Sequence, residues 1–556
     1  MRRVPRTIIL SLLLAMPLAT VALERSALVP ADSQTYVRVS NVTNVLAKLK
    51  KSSVGRLWAD RQFQDFIGNP DAEIWEEMLF DGEKTAEDEM YLEQLKMLRG
   101  EVIVAFNIRE EDPYIIAAIS EENFQRSLVL DEKLSKIGEE PFRIIRDTFQ
   151  DVEIIQHIEA PGTPAEDASW QAYCNHTLVM GNSREWVEKS IVQLKKEAVE
   201  EPAGTPLLIL NLPLAEFIHE TLVKERNPAQ SPESPDPEVL LESLGLMGIE
   251  KLTTRIALED TEMVVDNTLT ATSLNKGLFT ILDMQPAELP TVGFIPENIA
   301  MIEVGRFNLL RFWQEIPVVL ATAMPSAKSQ FDILLAMLRQ QTGIDIEQDL
   351  LVHLGTRYFA FSSVEGESLL SVTAIDLKDS QAFKHGLETA LASPILQSQV
   401  AMLLETVDFL GHSLYVSKNT VPSETFAFAV MGNYLLYGDP DALRQVIRSE
   451  SSGTVPDTAF ERTELIKGLR QAVPPTAFGY SAVDWKKSLA ALIQEMMKPD
   501  RIDILQQNWA TRGGPLPPPD FNKLPPADHI ASFFNTTYQY AEKTNEGLHQ
   551  RIILKY

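Results

Sequence analysis

Cysteine is almost absent: Cys174 is the only one in 556 residues. A single thiol excludes an internal disulfide, so packing alone has to hold the chain. In "WQAYCN", Trp170, Ala172 and Cys174 share one face of an expected strand, which reads as a buried, inert thiol rather than a nucleophile. Basic residues are also scarce, 50 Lys and Arg against 78 Asp and Glu, for a net charge of −28. That balance disfavours nucleic acid, whose binding rests on cations neutralising phosphates, and broad docking onto anionic lipid. The sequence has no His-Glu-x-x-His, Gly-x-Ser-x-Gly, phosphate-loop or dinucleotide pattern. Its eight histidines, at 157, 176, 219, 353, 385, 412, 529 and 549, never take the spacing of a local metal pair. No catalytic residue, cofactor site or metal ligand is therefore assigned from sequence.

Long apolar runs are missing everywhere except at the start. "MRRVPR" carries Arg2, Arg3 and Arg6, and "TIILSLLLAMPLATVAL" follows as an apolar stretch broken by Pro17. Thr20 and Ala22 are small enough to precede a cut, so residues 1–22 are expected to be a signal peptide cleaved after Ala22. A retained membrane anchor is the alternative; the run is short for a span of about 20 residues. With no cysteine near the cut, a lipid-modified N-terminus is not expected. The protein is then periplasmic or secreted, with no transmembrane anchor after cleavage.

What is present is a pattern told twice. "LVPADSQTYVRVSN" from Leu28 is echoed by "GFIPENIAMIEVGRFN" from Gly293. Each leads into helical spacing: "NVLAKLKKSSVGRLWADRQFQDFI" in the first half and "FNLLRFWQEIPVVLATAM" in the second. "LRGEVIVAFN" matches "HLGTRYFAFS", and "YIIAAIS" matches "LLSVTAID". "CNHTLVMGNSREWVEKSIVQL" matches "MGNYLLYGDPDALRQVIRSE", with Asp439 or Ser183 (or Asn182) placed to cap the following helix. "TPLLILNLPLAEFI" matches "TAFGYSAVDWKKSL", and each half ends in an alternating hairpin. The order is kept at an offset of about 260 residues, the signature of a repeat. Strands such as 101–107 and 113–120 are too close for parallel crossovers, so the expected class is α+β: two tandem, internally duplicated lobes of antiparallel sheet packed with helices. The first lobe is 23–285 and the second 286–556, with Pro286 and Pro290 in the connector.

Other conspicuous stretches read as architecture. "GIDIEQDLL" offers Asp345, Glu347 and Asp349, without the spacing or central glycine of a calcium loop. Asp345 is expected to cap a helix, with Gln348 completing a capping box. "EEDPY" from Glu110 is a hairpin turn, and His176 a turn residue. The first helix, basic at Lys48, Lys50 and Lys51 and bearing Leu57, Trp58, Phe63 and Phe66, reads as core-facing rather than membrane-lying. "EAPGTPAEDAS", "RNPAQSPESPDPEV" and "RGGPLPPPDFNKLPPAD" are loops by composition.

The opening "LVPADSQTYVRVSNVTNVLAKL", the following "SSVGRLWADRQFQDF" and "TGIDIEQDLLVHLGTRYFAF" together resemble a bacterial family of exported proteins catalogued only as a domain of unknown function. The resemblance implies an extracytoplasmic bacterial setting and transfers no site residue. The expected function is an exported, non-enzymatic binding or scaffold protein of the cell envelope. An envelope protein or an apolar ligand would sit at the interface of the two lobes. Two alternatives stand beside it: an exported hydrolase whose site assembles from distant residues, and a carrier of a lipid-like ligand.

Overall fold

A computed structural model describes residues 25–30, 33, 35–67, 86–106, 113–137, 142–158, 168–196, 207–215, 236–366, 368–393, 397, 402–418, 425–451, 459–497, 502 and 520–556. The expected signal segment, positions 110–112 of the acidic turn and most of the three Pro-rich loops lie outside these residues.

The first half opens with β1 (Thr35–Val39), helices α1 (Val42–Lys51), α2 (Ser53–Trp58), α3 (Arg61–Ile67) and α4 (Ala86–Met97). Then come β2 (Val102–Phe106), β3 (Tyr114–Ala118) and α5 (Glu121–Ile137). Next are β4 (Arg143–Phe149), β5 (Val152–Ile158), β6 (Ser169–Cys174), β7 (Thr177–Gly181) and α6 (Arg184–Lys196). The half closes with β8 (Leu207–Leu212), α7 (Pro237–Ser243), β9 (Ile249–Leu258) and β10 (Glu262–Ala271).

The second half opens with β11 (Ile299–Arg306), α8 (Leu309–Ala323) and α9 (Pro325–Thr342), then β12 (Leu354–Glu365), β13 (Ser368–Leu377) and α10 (Ser380–Ala392). Next are β14 (Leu404–Phe409), β15 (His412–Ser417), β16 (Ala427–Met431), β17 (Tyr434–Gly438) and α11 (Pro440–Ser451). It closes with α12 (Glu464–Ala472), β18 (Gly479–Asp484), α13 (Trp485–Met496), α14 (Ala527–Ala531), β19 (Thr536–Lys543) and β20 (Gly547–Lys555).

All these strands join one 20-stranded antiparallel sheet, so the class is α+β. Within the first half the order is β4-β5-β6-β7-β3-β2-β1-β8-β9-β10. Within the second it is β14-β15-β16-β17-β13-β12-β11-β18-β19-β20, the same sequence of positions. The halves meet where β10 pairs with β20. The turns match too: Gln150 and Asp151 between β4 and β5, and Leu410 and Gly411 between β14 and β15, all have positive φ. Two such residues in a two-residue loop suit the twist of a tight hairpin.

One row of paired residues crosses the sheet and explains its layering. At one wing it runs through Ile154, Ala172, Val179, Ile116 and Ile103; at the other through Val304, Phe359, Ala374, Leu436 and Ala429. All ten are at most 1% exposed. Helix α6 covers the first wing with Trp186, Val187 and Ile191, and α11 and α12 cover the second with Leu443, Ile447 and Ile466. Each large side chain buried this way stabilises the fold by about 1.5–3 kcal/mol. The opposite face is covered by Val45 of α1, Phe124 and Leu128 of α5, and Phe383 of α10.

Three local expectations are corrected. The single helix expected from Asn44 is three short ones. Asn41 caps the first, accepting from Asn44 N at 2.9 Å, and Ser52 then leaves helical geometry to cap the next through Gly55 N. Asp345 does cap its turn, but Gln348 makes no return bond. Asp349 does, its carboxylate accepting from Asp345 N at 2.7 Å. At α11 the Asp439 carboxylate accepts from Ser371 N of the neighbouring strand at 2.6 Å, tying helix start to sheet.

The helices after the first strand of each half cross to the other half. Phe66 meets Phe521 at 5.8 Å, and Asp520 N donates to Phe66 O. Arg56 Nη2 donates to Phe533 O at 3.0 Å, and His529 Nε2 lies 3.1 Å from Asp60 Oδ1. Reciprocally, α8 packs against α7. The aromatic residues of the expected first helix are thus spent on this exchange.

Candidate functional site

The hairpins that meet at the centre are built alike. Glu259 N donates to Glu262 O at 2.8 Å, and Thr544 N to Gly547 O at 2.9 Å. Counting from these turns, Asp266 and Arg551 hold the same position in β10 and β20. They are also direct partners in the nine-pair register from Glu262↔Lys555 to Thr270↔Gly547. The pair therefore lies on a pseudo-two-fold axis. On such an axis identical halves would set a side chain against its own kind, carboxylate against carboxylate. Here the two differ, and Arg551 Nε and Nη2 donate to Asp266 Oδ1 and Oδ2 at 2.7 and 2.8 Å.

Other polar groups gather on this saddle between the two apolar wings. Ring nitrogens of His549 lie 2.9 Å from Asp266 Oδ1 and 3.3 Å from Glu542 Oε1. Arg255, exposed, is the partner of Asp266 in β9. On the other face Asn267 Nδ2 donates to Gln550 Oε1 at 3.0 Å, and Thr254 Oγ1 to Asn267 Oδ1 at 2.8 Å. Hydrogen bonds from Arg551 and His549 outweigh burial and hold the Asp266 carboxyl below the usual carboxylate range. Along this edge the two halves meet by continuous strand pairing, with polar side chains on both faces.

Two clefts open in the first half. One, of about 710 Å³, lies between α6 and residues 27–30, lined by Leu28, Pro30, Tyr114 and Trp186. Trp186 Nε1 donates to Leu28 O at 2.7 Å, and Tyr114 meets Trp186 edge-on at 4.9 Å. Gly181 makes this possible, since a Cβ there would lie 2.5 Å from the Tyr114 ring. The other, of about 650 Å³, sits at the start of α5 and is lined by Arg99, Ser120, Asn123, Arg126 and His176, with Glu122 beside them. Its Ser120 Oγ is already spent accepting from Asn123 N.

The residues singled out by sequence mostly serve the architecture. Cys174 is 8% exposed, and burial pushes its thiol up. Asn175 and His176 form the β6–β7 turn with φ of +49° and +58°. Asp345 and Glu347 hold a helix start, with Gln314 Nε2 donating to Glu347 Oε1 at 2.9 Å. Among the described residues no group of three or more His, Cys, Asp or Glu is placed to hold a metal ion, and no helix is long and apolar enough to cross a membrane.

Sequence reasoning missed a buried triad. Glu101, 1% exposed, accepts from Arg25 Nη1 at 3.1 Å and from Arg38 Nε at 2.7 Å. Arg25 Nε also donates to Thr177 Oγ1 at 3.2 Å. Arg38 alternates with valines in "TYVRV", and that inward-facing charge was the available signal.

No family model matches the chain, and no curated protein does. A solved structure, "Structure of crystal form I of TP0453", aligns over 44% of this chain and 76% of that one, at 9% identity and a TM-score of 0.22. At that score the likeness carries no argument. The fold itself defines the class: an α+β protein on one continuous antiparallel sheet, its two halves sharing a strand order.

Proposed function

We propose that the chain is an exported, non-enzymatic binding or scaffold protein of the bacterial cell envelope, built by duplication of one lobe and related to the family of exported proteins that its opening segments resemble. The observation that carries this reading is the seam. Two halves of identical strand order are fused edge to edge, with an ion pair at the centre, into one platform that holds equivalent surfaces at a fixed separation. The basic, apolar, small-residue order of positions 1–22 supports export.

Cell fractionation with intact-mass analysis tests both parts. The expected outcome is a chain beginning at Leu23 in the envelope or medium, with no turnover of envelope polymer or lipid by the purified protein. A full-length chain in the cytoplasm overturns the export reading. Hydrolysis that tracks the protein through purification moves the reading to an enzyme. A stoichiometric lipid in native mass spectra moves it to a carrier.

A further inference from the structure

Helix α9 is the least covered long element of the second half. None of its 18 residues is buried, and its main packing partner is α8. Phe331 rests 5.8 Å from Trp313 of α8, and Leu335 and Leu338 follow at helical spacing on the same side. A second apolar stripe faces water. Ile333, Leu334 and Met337 are 59%, 62% and 48% exposed, and the exposed Gln330 and Gln341 continue their spacing at either end. A helix with apolar residues on two faces has two partners to satisfy, and the described residues supply one.

Charge decides between occupants. Residues 309–342 hold three cations and two carboxylates in a chain of net charge −28. Each cation is already engaged: Arg311 with Glu315, Lys328 with Asp332, and Arg339 with Asp345. A helix that lies on lipid presents free Lys and Arg beside its apolar stripe. This one presents amides, the uncharged rim of a protein interface. The stripe is also complementary to itself. An antiparallel two-fold at the level of Leu335 and Ala336 sets Leu334 against Met337 of the second copy, and Gln330 against its Gln341. Each amide both donates and accepts, so a Gln–Gln pair satisfies itself across the axis.

We propose that the outer face of α9, bearing Gln330, Ile333, Leu334, Met337 and Gln341, is a homodimer interface that pairs antiparallel with the same helix of a second copy. The inference is independent of the envelope reading. Mutual repulsion of two strongly acidic chains opposes pairing, and this nearly neutral hairpin is where they approach at least electrostatic cost.

Sedimentation of the mature protein at several concentrations and ionic strengths tests it. The expected result is a monomer–dimer equilibrium that tightens as salt screens the repulsion. Ile333→Asp with Met337→Asp should weaken it at least 10-fold without changing the far-ultraviolet spectrum. A register test uses cysteine. In the antiparallel pair Gln330 faces Gln341, whereas two copies of either position stand about 16 Å apart at 1.5 Å per residue. Gln330→Cys with Gln341→Cys should cross-link under mild oxidation, and neither single variant should, since a disulfide needs Cα atoms within about 7 Å. A monomer under all conditions overturns the proposal, as does a dimer indifferent to the aspartates or cross-linking by a single variant. Binding to phosphatidylcholine vesicles that the aspartates abolish assigns the face to lipid instead.

Discussion

Reversing the charge at the seam should separate the two halves' contributions cleanly. Arg551→Asp removes two charge-assisted hydrogen bonds of 2.7 and 2.8 Å and sets a second carboxylate opposite Asp266. Bonds to charged groups contribute about 1.5–3 kcal/mol together with their geometry, and like charges directly opposite add up to about 1 kcal/mol. The side chains of Asp266 and Arg551 are 22% and 40% exposed, so water screens part of this. The expected loss is about 2–3 kcal/mol, read as a lower urea midpoint. Asp266→Arg should cost a similar amount, because it sets a further guanidinium beside Arg551 and Arg255. The double exchange, Asp266→Arg with Arg551→Asp, rebuilds the pair in reverse. It should recover most of the loss, short of the contact from His549 to Asp266 and with Arg255 now beside a cation. A double-mutant cycle isolates this coupling. If the exchange is as unstable as the two single losses added together, the pair does not hold the seam and the two-fold reasoning fails.

Four further outcomes follow from named contacts. Glu101→Gln removes the carboxylate charge that two buried guanidiniums share and should cost about 3–5 kcal/mol, seen as a lower melting temperature; a shift within error would show the triad to be dispensable. Burial, partly opposed by Asp131, lowers the proton affinity of His157, so its contribution is present above the usual histidine range and is lost as pH falls through it. The carboxyls of Asp266 and Asp283 are also lowered, and theirs is lost only below the usual carboxylate range. Melting temperature against pH should fall in two stages, and His157→Gln should remove the first; an unchanged first stage assigns it elsewhere. Leu410→Asn relieves a left-handed leucine, φ +53° and 56% exposed, and should stabilise by about 0.5–1 kcal/mol in thermal melts, with a loss counting against the turn assignment. Cys174 should resist thiol reagents until the protein unfolds, and rapid native labelling would contradict its burial.

Much of the fold was legible because local chemistry and tertiary demand agree. The short, continuous apolar runs "VIVAF" and "YIIAA" mark strands covered on both faces and too close in sequence to be anything but antiparallel neighbours. Asn308 caps α8 through Arg311 N, as the asparagine ahead of an apolar helical run suggests. The expected failures have equally local causes. Ser52 competes for backbone donors inside a helical pattern, and nothing in the apolar spacing reveals it. Asp349 displaces Gln348 because the turn it closes is wider than an ordinary helical turn.

By itself, then, the sequence determined the class, most of the element order, the caps at Asn308 and Asp345, the buried thiol and the shared strand order of two halves, since each depends on side-chain periodicity or on groups a few residues apart. Only the tertiary structure decided how the halves meet. That Asp266 faces Arg551 across an axis, that Arg25 and Arg38 converge on Glu101, and that α9 keeps a second apolar face uncovered are consequences of residues brought together from up to 285 positions apart. No periodicity encodes such distances; they follow from which strand edges were free to pair and which faces were left without a neighbour.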